Sequence, residues 1–118
     1  AVDLSYRKMG KKGRRNGREI GKWLCDLLSA HSETLGVECI LDYYPKPWGR
    51  GYRWDRDKWL RYTVKTLGGA PMGDWLHVEL APRMADSPTL VREAWSKVAD
   101  SEEFLRMPKG PEKKNLGQ

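Results

Sequence analysis

Asp74-Trp75-Leu76-His77-Val78-Glu79-Leu80 is the stretch on which the reading of this chain turns. Trp75, His77 and Glu79 alternate with Leu76, Val78 and Leu80, the period of two expected of a half-buried strand. Pro82 closes the run, because proline has no N–H to give to a ladder. Such a strand sets His77 and Glu79 on one face and the aliphatic residues on the other. Asp74 stands just outside the strand, three residues ahead of His77. Hydrolysis of a peptide by zinc needs about three protein ligands, an open position for water, and a base within hydrogen-bonding reach of that water. In that chemistry His77 is the ligand and Asp74 the base. On spacing alone, Asp-x-x-His arises often by chance and is more commonly a partly buried histidine beside a loop aspartate.

Working outward, residues 57–67 read as a short helix ended by Gly68-Gly69. Before them, residues 44–59 crowd Pro45, Pro47, Gly49 and Gly51 among Tyr44, Trp48, Tyr52, Trp54 and Trp59, which predicts a rigid aromatic loop or a twisted hairpin. Val37-Glu38-Cys39-Ile40-Leu41-Asp42-Tyr43 is β-prone. A helix is expected from Arg18, since Ile20, Trp23, Leu24, Leu27, Leu28 and His31 recur at spacings of three and four, with Asn16 as N-cap and Gly36 as terminator. His31 lies on that apolar face and reads as a core or helix-end residue rather than a ligand. Residues 1–5 are strand-like, and residues 6–17 form a basic, glycine-punctuated exposed loop. Downstream, Ser87 and Pro88 suit the N-cap and first position of a helix over 87–99 carrying Leu90, Val91, Ala94, Trp95 and Val98. A single domain over 1–108 and a flexible tail over 109–118 are expected.

With 118 residues, 39% hydrophobic and 32% charged, the chain has enough apolar material for one core. The net charge of +6 favours polyanionic surroundings, which include nucleic acid, anionic membrane and cell-wall polymers. No run approaches the ~18 apolar residues of a membrane span, and residues 1–20 lack the regions of a signal peptide. The chain therefore reads as soluble, or as part of a protein whose sorting signal lies elsewhere. Cys25 and Cys39, with only two histidines, spell out no tetrahedral Cys/His site, and two buried thiols or one bridge are equally allowed.

The joint order of the segments resembles the zinc peptidase superfamily of D-alanyl-D-alanine carboxypeptidases and dipeptidases, phage L-alanyl-D-glutamate endolysins and hedgehog-like domains. In that family Ser-x-His-x-x-Gly-x-Ala-x-Asp supplies two ligands, and a later acidic-x-x-His supplies the base and the third. Ala1-Val2-Asp3-Leu4 is similar to the end of the first motif, and Asp74 through Leu80 to the second. Asn16-Gly17-Arg18-Glu19-Ile20-Gly21-Lys22-Trp23-Leu24 resembles the intervening helix, and Leu35-Gly36-Val37-Glu38-Cys39-Ile40 the strand after it.

The resemblance covers residues 1–82. It implies an α+β fold, a small antiparallel sheet with flanking helices of the hedgehog/D-Ala-D-Ala-peptidase kind. It also implies Zn2+ held by Asp3 and His77 and Asp74 as catalytic base; Glu79, on the same strand face as His77, is either an outer acceptor orienting a ligand or an exposed structural carboxylate. The first ligand histidine would lie about seven residues before Asp3, ahead of Ala1. The preferred expectation is that the chain belongs to a longer protein; the alternatives are a ligand from another segment or a domain that has lost its metal. The residue two before the final histidine is often histidine in relatives and is Trp75 here. The implied activity is cleavage of peptidoglycan stem or cross-link peptides, extracellular or at the cell wall, delivered by a phage particle or lysis system, with virion or tail proteins as further partners.

Beside this reading, Tyr43, Tyr44, Trp48, Arg50, Tyr52, Arg53 and Trp54 offer rings for sugar faces and guanidiniums for stem carboxylates, so Tyr44, Trp48, Arg50, Tyr52 and Trp54 are candidate substrate contacts. A satellite hydrophobic cluster is the structural alternative for the tryptophans. Two other functions compete. One is a basic nucleic-acid-binding protein or small nuclease, supported by the basic segment and interleaved aromatics, though Glu79-Leu80-Ala81 lacks the lysine of a Glu-x-Lys pattern. The other is a non-enzymatic virion component that keeps the fold.

Overall fold

One antiparallel sheet organises the chain, in the order β1-β5-β2-β3-β4. In the computed structural model residues 1–7 and 17–108 are described. The strands are β1 (Val2–Ser5), β2 (Val37–Asp42), β3 (Arg50–Arg53), β4 (Lys58–Arg61) and β5 (Trp75–Leu80). The helices are α1 (Gly17–Ala30), α2 (Ser32–Leu35), α3 (Pro82–Ala85), α4 (Pro88–Val98) and α5 (Glu102–Leu105). The architecture is α+β with a small, open, antiparallel sheet, as the sequence leads one to expect. No helix among the described residues is long and apolar enough to cross a membrane.

The alternation in β5 fixes the two faces of the sheet. Leu76 and Val78 are buried and, with Ile40, Tyr52 and the α1 residues Ile20, Leu27 and Leu28, form the core. Register carries the same sidedness across the strands: Ile40 stands opposite Val78, and Tyr52 opposite Ile40. A one-residue slip would turn every one of these side chains to water, so the apolar pattern specifies the register. Leu76 is wholly buried; truncating it to alanine is expected to cost about 2–5 kcal/mol.

The second face collects what the core excludes. Asp3 pairs with His77, His77 with Leu41, Leu41 with Gly51 and Gly51 with Leu60, a row that runs across all five strands. Glycine is needed at position 51, because a Cβ there would collide with the Tyr62 hydroxyl, which lies over the sheet.

Two elements depart from the expected pattern. The predicted helix over 57–67 is instead β4 followed by irregular chain. Asp57 takes a left-handed φ of 49°, which closes a β3–β4 hairpin, and Trp59 packs on Tyr52 across it with ring centroids 5.7 Å apart. A tetrapeptide is too short for its periodicity to separate helix from strand, and this aromatic pair decides it. The helix expected to run from Arg18 to Gly36 is divided at His31, and Gly36 at φ 70° ends the second piece. Ser87 caps α4 through its Oγ, which accepts from the Leu90 N–H at 3.2 Å, with Pro88 in the first turn as predicted. The short α5, capped by Ser101, carries no strong periodic signal and is found only in the structure. The proposed cap Asn16, most of the basic loop and the tail over 109–118 lie outside the described residues.

Candidate functional site

Asp3 and His77 are 74 residues apart in sequence and directly opposite in register, on the sheet face away from α1. His77 Nδ1 lies 3.0 Å from Asp3 Oδ1, and His77 Nε2 lies 3.1 Å from Glu79 Oε2. The imidazole is thus held between two carboxylates, one from each strand. Hydrogen bonding to Asp3 is the main cause that raises the His77 pKa above its ordinary value; Glu79 adds to it and partial burial opposes it.

Asp74 precedes β5 and is joined to the two residues that follow β1 by both backbone and side chain. Its carbonyl accepts from the Tyr6 N–H at 3.1 Å. Its carboxylate accepts from Arg7 Nε, at 2.9 Å to Oδ2 and 3.1 Å to Oδ1, and from Arg7 Nη2 at 3.1 Å. These charge-assisted bonds hold the Asp74 carboxyl below its usual range. The sequence places Arg7 in an exposed loop, whereas the structure makes it the partner of the candidate base. Nothing in its local spacing points to Asp74, 67 residues away; only the β1–β5 pairing does.

A zinc ion bound tetrahedrally at about 2.0–2.1 Å keeps its N and O ligands roughly 3.3 Å apart. The Asp3–His77 separation of 3.0 Å is close to that spacing. Glu79 faces the other ring nitrogen, the place of the outer carboxylate that fixes the tautomer of a metal-bound histidine. Asp3 and His77 thus offer two donor atoms side by side, joined by a contact of ordinary hydrogen-bond length, with Glu79 as an acceptor on the other ring nitrogen. Among the described residues no group of three or more His, Cys, Asp or Glu is placed to hold a metal ion. His31 does not join them: its Nε2 lies 2.8 Å from Glu103 Oε1, where α1 meets α5.

The candidate substrate contacts are dispersed. Arg50 and Tyr52 share the helical face with Asp42 and Ile40, opposite to His77. The Tyr52 hydroxyl donates to Asp57 Oδ1 at 2.8 Å. Arg50 donates through Nε to Asp42 Oδ2 at 2.8 Å and lies over the Trp59 ring at 4.1 Å. Tyr44 lies beneath the Arg18 guanidinium, 4.6 Å from its ring centroid. Trp48 is half-buried in the turn before β3. Trp54 is exposed on the wall of a separate cavity of about 450 Å³, with Glu33, Glu38 and Arg83. Tyr43 feels the Asp3 charge. Its ring stacks on Trp75 at 4.8 Å, and burial first, then the Asp3 charge, raise its pKa.

A second charged cluster is buried on the helical face. Asp42 is fully inaccessible and accepts from Arg18 Nη1 and Nη2, both at 2.9 Å, and from Arg50. Burial opposes its ionisation, yet the two guanidiniums outweigh it and hold the carboxyl below its usual range. Cys25 lies 3.5 Å from Asp42 Oδ2, and burial with that neighbouring charge pushes its thiol up to about 12. Both cysteines are free and buried, which settles the choice left open by their spacing.

Comparison with protein-family models, curated proteins and solved structures finds no match to the chain.

Proposed function

We propose that the chain carries the carboxylate–histidine part of a zinc peptidase centre of the hedgehog/D-alanyl-D-alanine-peptidase kind, acting on peptidoglycan stem or cross-link peptides at the cell wall. The observation that carries this reading is the β1–β5 register, which sets Asp3 opposite His77 at a ligand-like 3.0 Å with Glu79 on the remaining nitrogen. Asp3 and His77 would hold the zinc, with a third ligand from outside the described residues. Zinc, when bound, supplies a Lewis acid for the scissile carbonyl and lowers the pKa of a bound water. Asp74 takes the water proton at a carboxylate oxygen and returns it to the leaving amine. Arg7 engages both Asp74 oxygens, with one contact to Oδ2 and two to Oδ1, which leaves Oδ2 a lone pair for this transfer.

The test uses the full-length protein supplied with zinc. Purified peptidoglycan should release new amino termini; Asp74→Ala should abolish release and keep zinc, and His77→Ala should lose zinc. Retained hydrolysis in Asp74→Ala would exclude Asp74 as the base. The absence of a three-donor group among the described residues favours one second reading, a zinc-free structural component with the same fold. That reading predicts less than a trace of zinc and no change of fold in chelator.

A further inference from the structure

Arg50 and Arg61 are direct cross-strand partners in β3 and β4. Like charges at such positions repel, so the pair calls for a compensating anion. Asp42 compensates Arg50, but it is shared with Arg18. Arg61 is exposed, donates through Nη1 to the Lys46 carbonyl at 2.7 Å, and has no carboxylate partner among the described residues. Lys46 adds an exposed ammonium in the same turn. Arg18, Arg50, Arg61 and Lys46 thus bring four cations to one end of the sheet, against the buried Asp42 charge.

We infer that this end of the molecule is a binding site for phosphodiester groups of an anionic polyol-phosphate polymer, of the teichoic-acid type, with Arg61 and Lys46 making the outer contacts. Arginine and lysine recognise phosphate oxygens through charge-assisted hydrogen bonds. The choice against nucleic acid comes from the rings. Single-stranded nucleic acid is held by free aromatic faces as well as by charge. Here Arg18 covers Tyr44, while Arg50 lies over Trp59, which also packs on Tyr52. The rings that Arg18 and Arg50 contact are already engaged, so these cations offer charge recognition with no free stacking face of their own. The identity of the polymer rests on the wall assignment above; the phosphate chemistry does not.

The experiment titrates purified poly(glycerol phosphate) teichoic acid, and separately oligothymidylate with the same number of phosphates, into the chain and two charge reversals. Arg61→Glu and Lys58→Glu change net charge equally and lie on the same exposed strand, but Lys58 pairs with Arg53 at the far end. Arg61→Glu should lower teichoic-acid affinity at least tenfold at low salt, and Lys58→Glu less than twofold. Arg61→Ala should reduce the slope of log affinity against log salt by about 1, as loss of one phosphate contact does. Circular dichroism confirms that each variant is folded. Equal losses in the two reversals, or tighter binding of oligothymidylate than of the polyol phosphate, overturns the inference. Zinc content and peptide hydrolysis do not enter this assay, so binding can persist when the peptidase assignment fails, and the reverse.

Discussion

The sheet carries a carboxylate cluster on each face, and the two are built from similar groups to different ends. On the helical face Asp42 is wholly buried, and its partners Arg18 and Arg50 are only 16% and 20% exposed. On the other face Asp3, His77 and Glu79 are 72%, 24% and 49% exposed. Removing one partner from a buried pair leaves an uncompensated charge in a low dielectric, whereas water rescues an exposed one. The comparison separates a charge cluster closed off inside the fold from one left open to solvent. Asp42 has the more complete set of partners and is committed to the fold. The weaker cluster keeps accessible lone pairs, and those are what a metal or a substrate needs.

The contrast breaks most visibly under truncation. Asp42→Ala strands two guanidiniums beside Cys25 and should destabilise the chain by about 3–5 kcal/mol, read as a shift in the denaturation midpoint. His77→Ala removes an exposed ion-pair network and should cost less than about 1 kcal/mol by the same measurement. Equal costs would remove the distinction between the two faces.

A pH titration sharpens it further. The His77 pKa is raised on folding, by Asp3 first and then Glu79. In metal-free protein its contribution to stability is therefore full below the ordinary 6.5 and is lost as pH rises through the higher folded value. Asp42, held below its usual range, contributes in the opposite sense: its share is present above the unfolded pKa and is lost as pH falls through the folded one. A proton NMR titration should place the His77 midpoint above 6.5, and Asp3→Asn should bring it down. An unchanged midpoint in that variant would mean that the pair does not form in solution. Because a metal must displace the His77 proton, zinc affinity should rise with pH across the same interval.

The smallest expected effect is at Arg7. It lies at the surface, and among the described residues its side chain engages Asp74, so Arg7→Ala should leave the melting midpoint unchanged within error while returning the Asp74 carboxyl toward its ordinary range. An NMR titration of the aspartate carboxyls reads this directly, and an unmoved Asp74 would show that Arg7 is not what holds it.

Residues whose partners are set by local pattern were readable from sequence. The alternation in β5, the Ser87-Pro88 start of α4 and the Gly36 stop all follow from spacing and backbone chemistry, and each is found. Asp3, His77 and Glu79 were singled out from motif order, and the sheet brings all three together. What spacing could not convey is sidedness beyond one strand. The aromatic-basic segment reads as one group, yet the pleat sends Arg50 and Tyr52 to the core face and Arg53 to the other. Arg7 with Asp74, and Asp42 with Arg18, depend on pairings that span 67 and 24 residues, which no local window contains.

The central claim is that Asp3 and His77 converge on one divalent ion. X-ray diffraction from zinc-soaked crystals, recorded on both sides of the zinc absorption edge, should give one strong anomalous peak about 2.0–2.2 Å from both His77 Nδ1 and Asp3 Oδ1. A peak on the opposite ring nitrogen beside Glu79, or none near either residue, would contradict it.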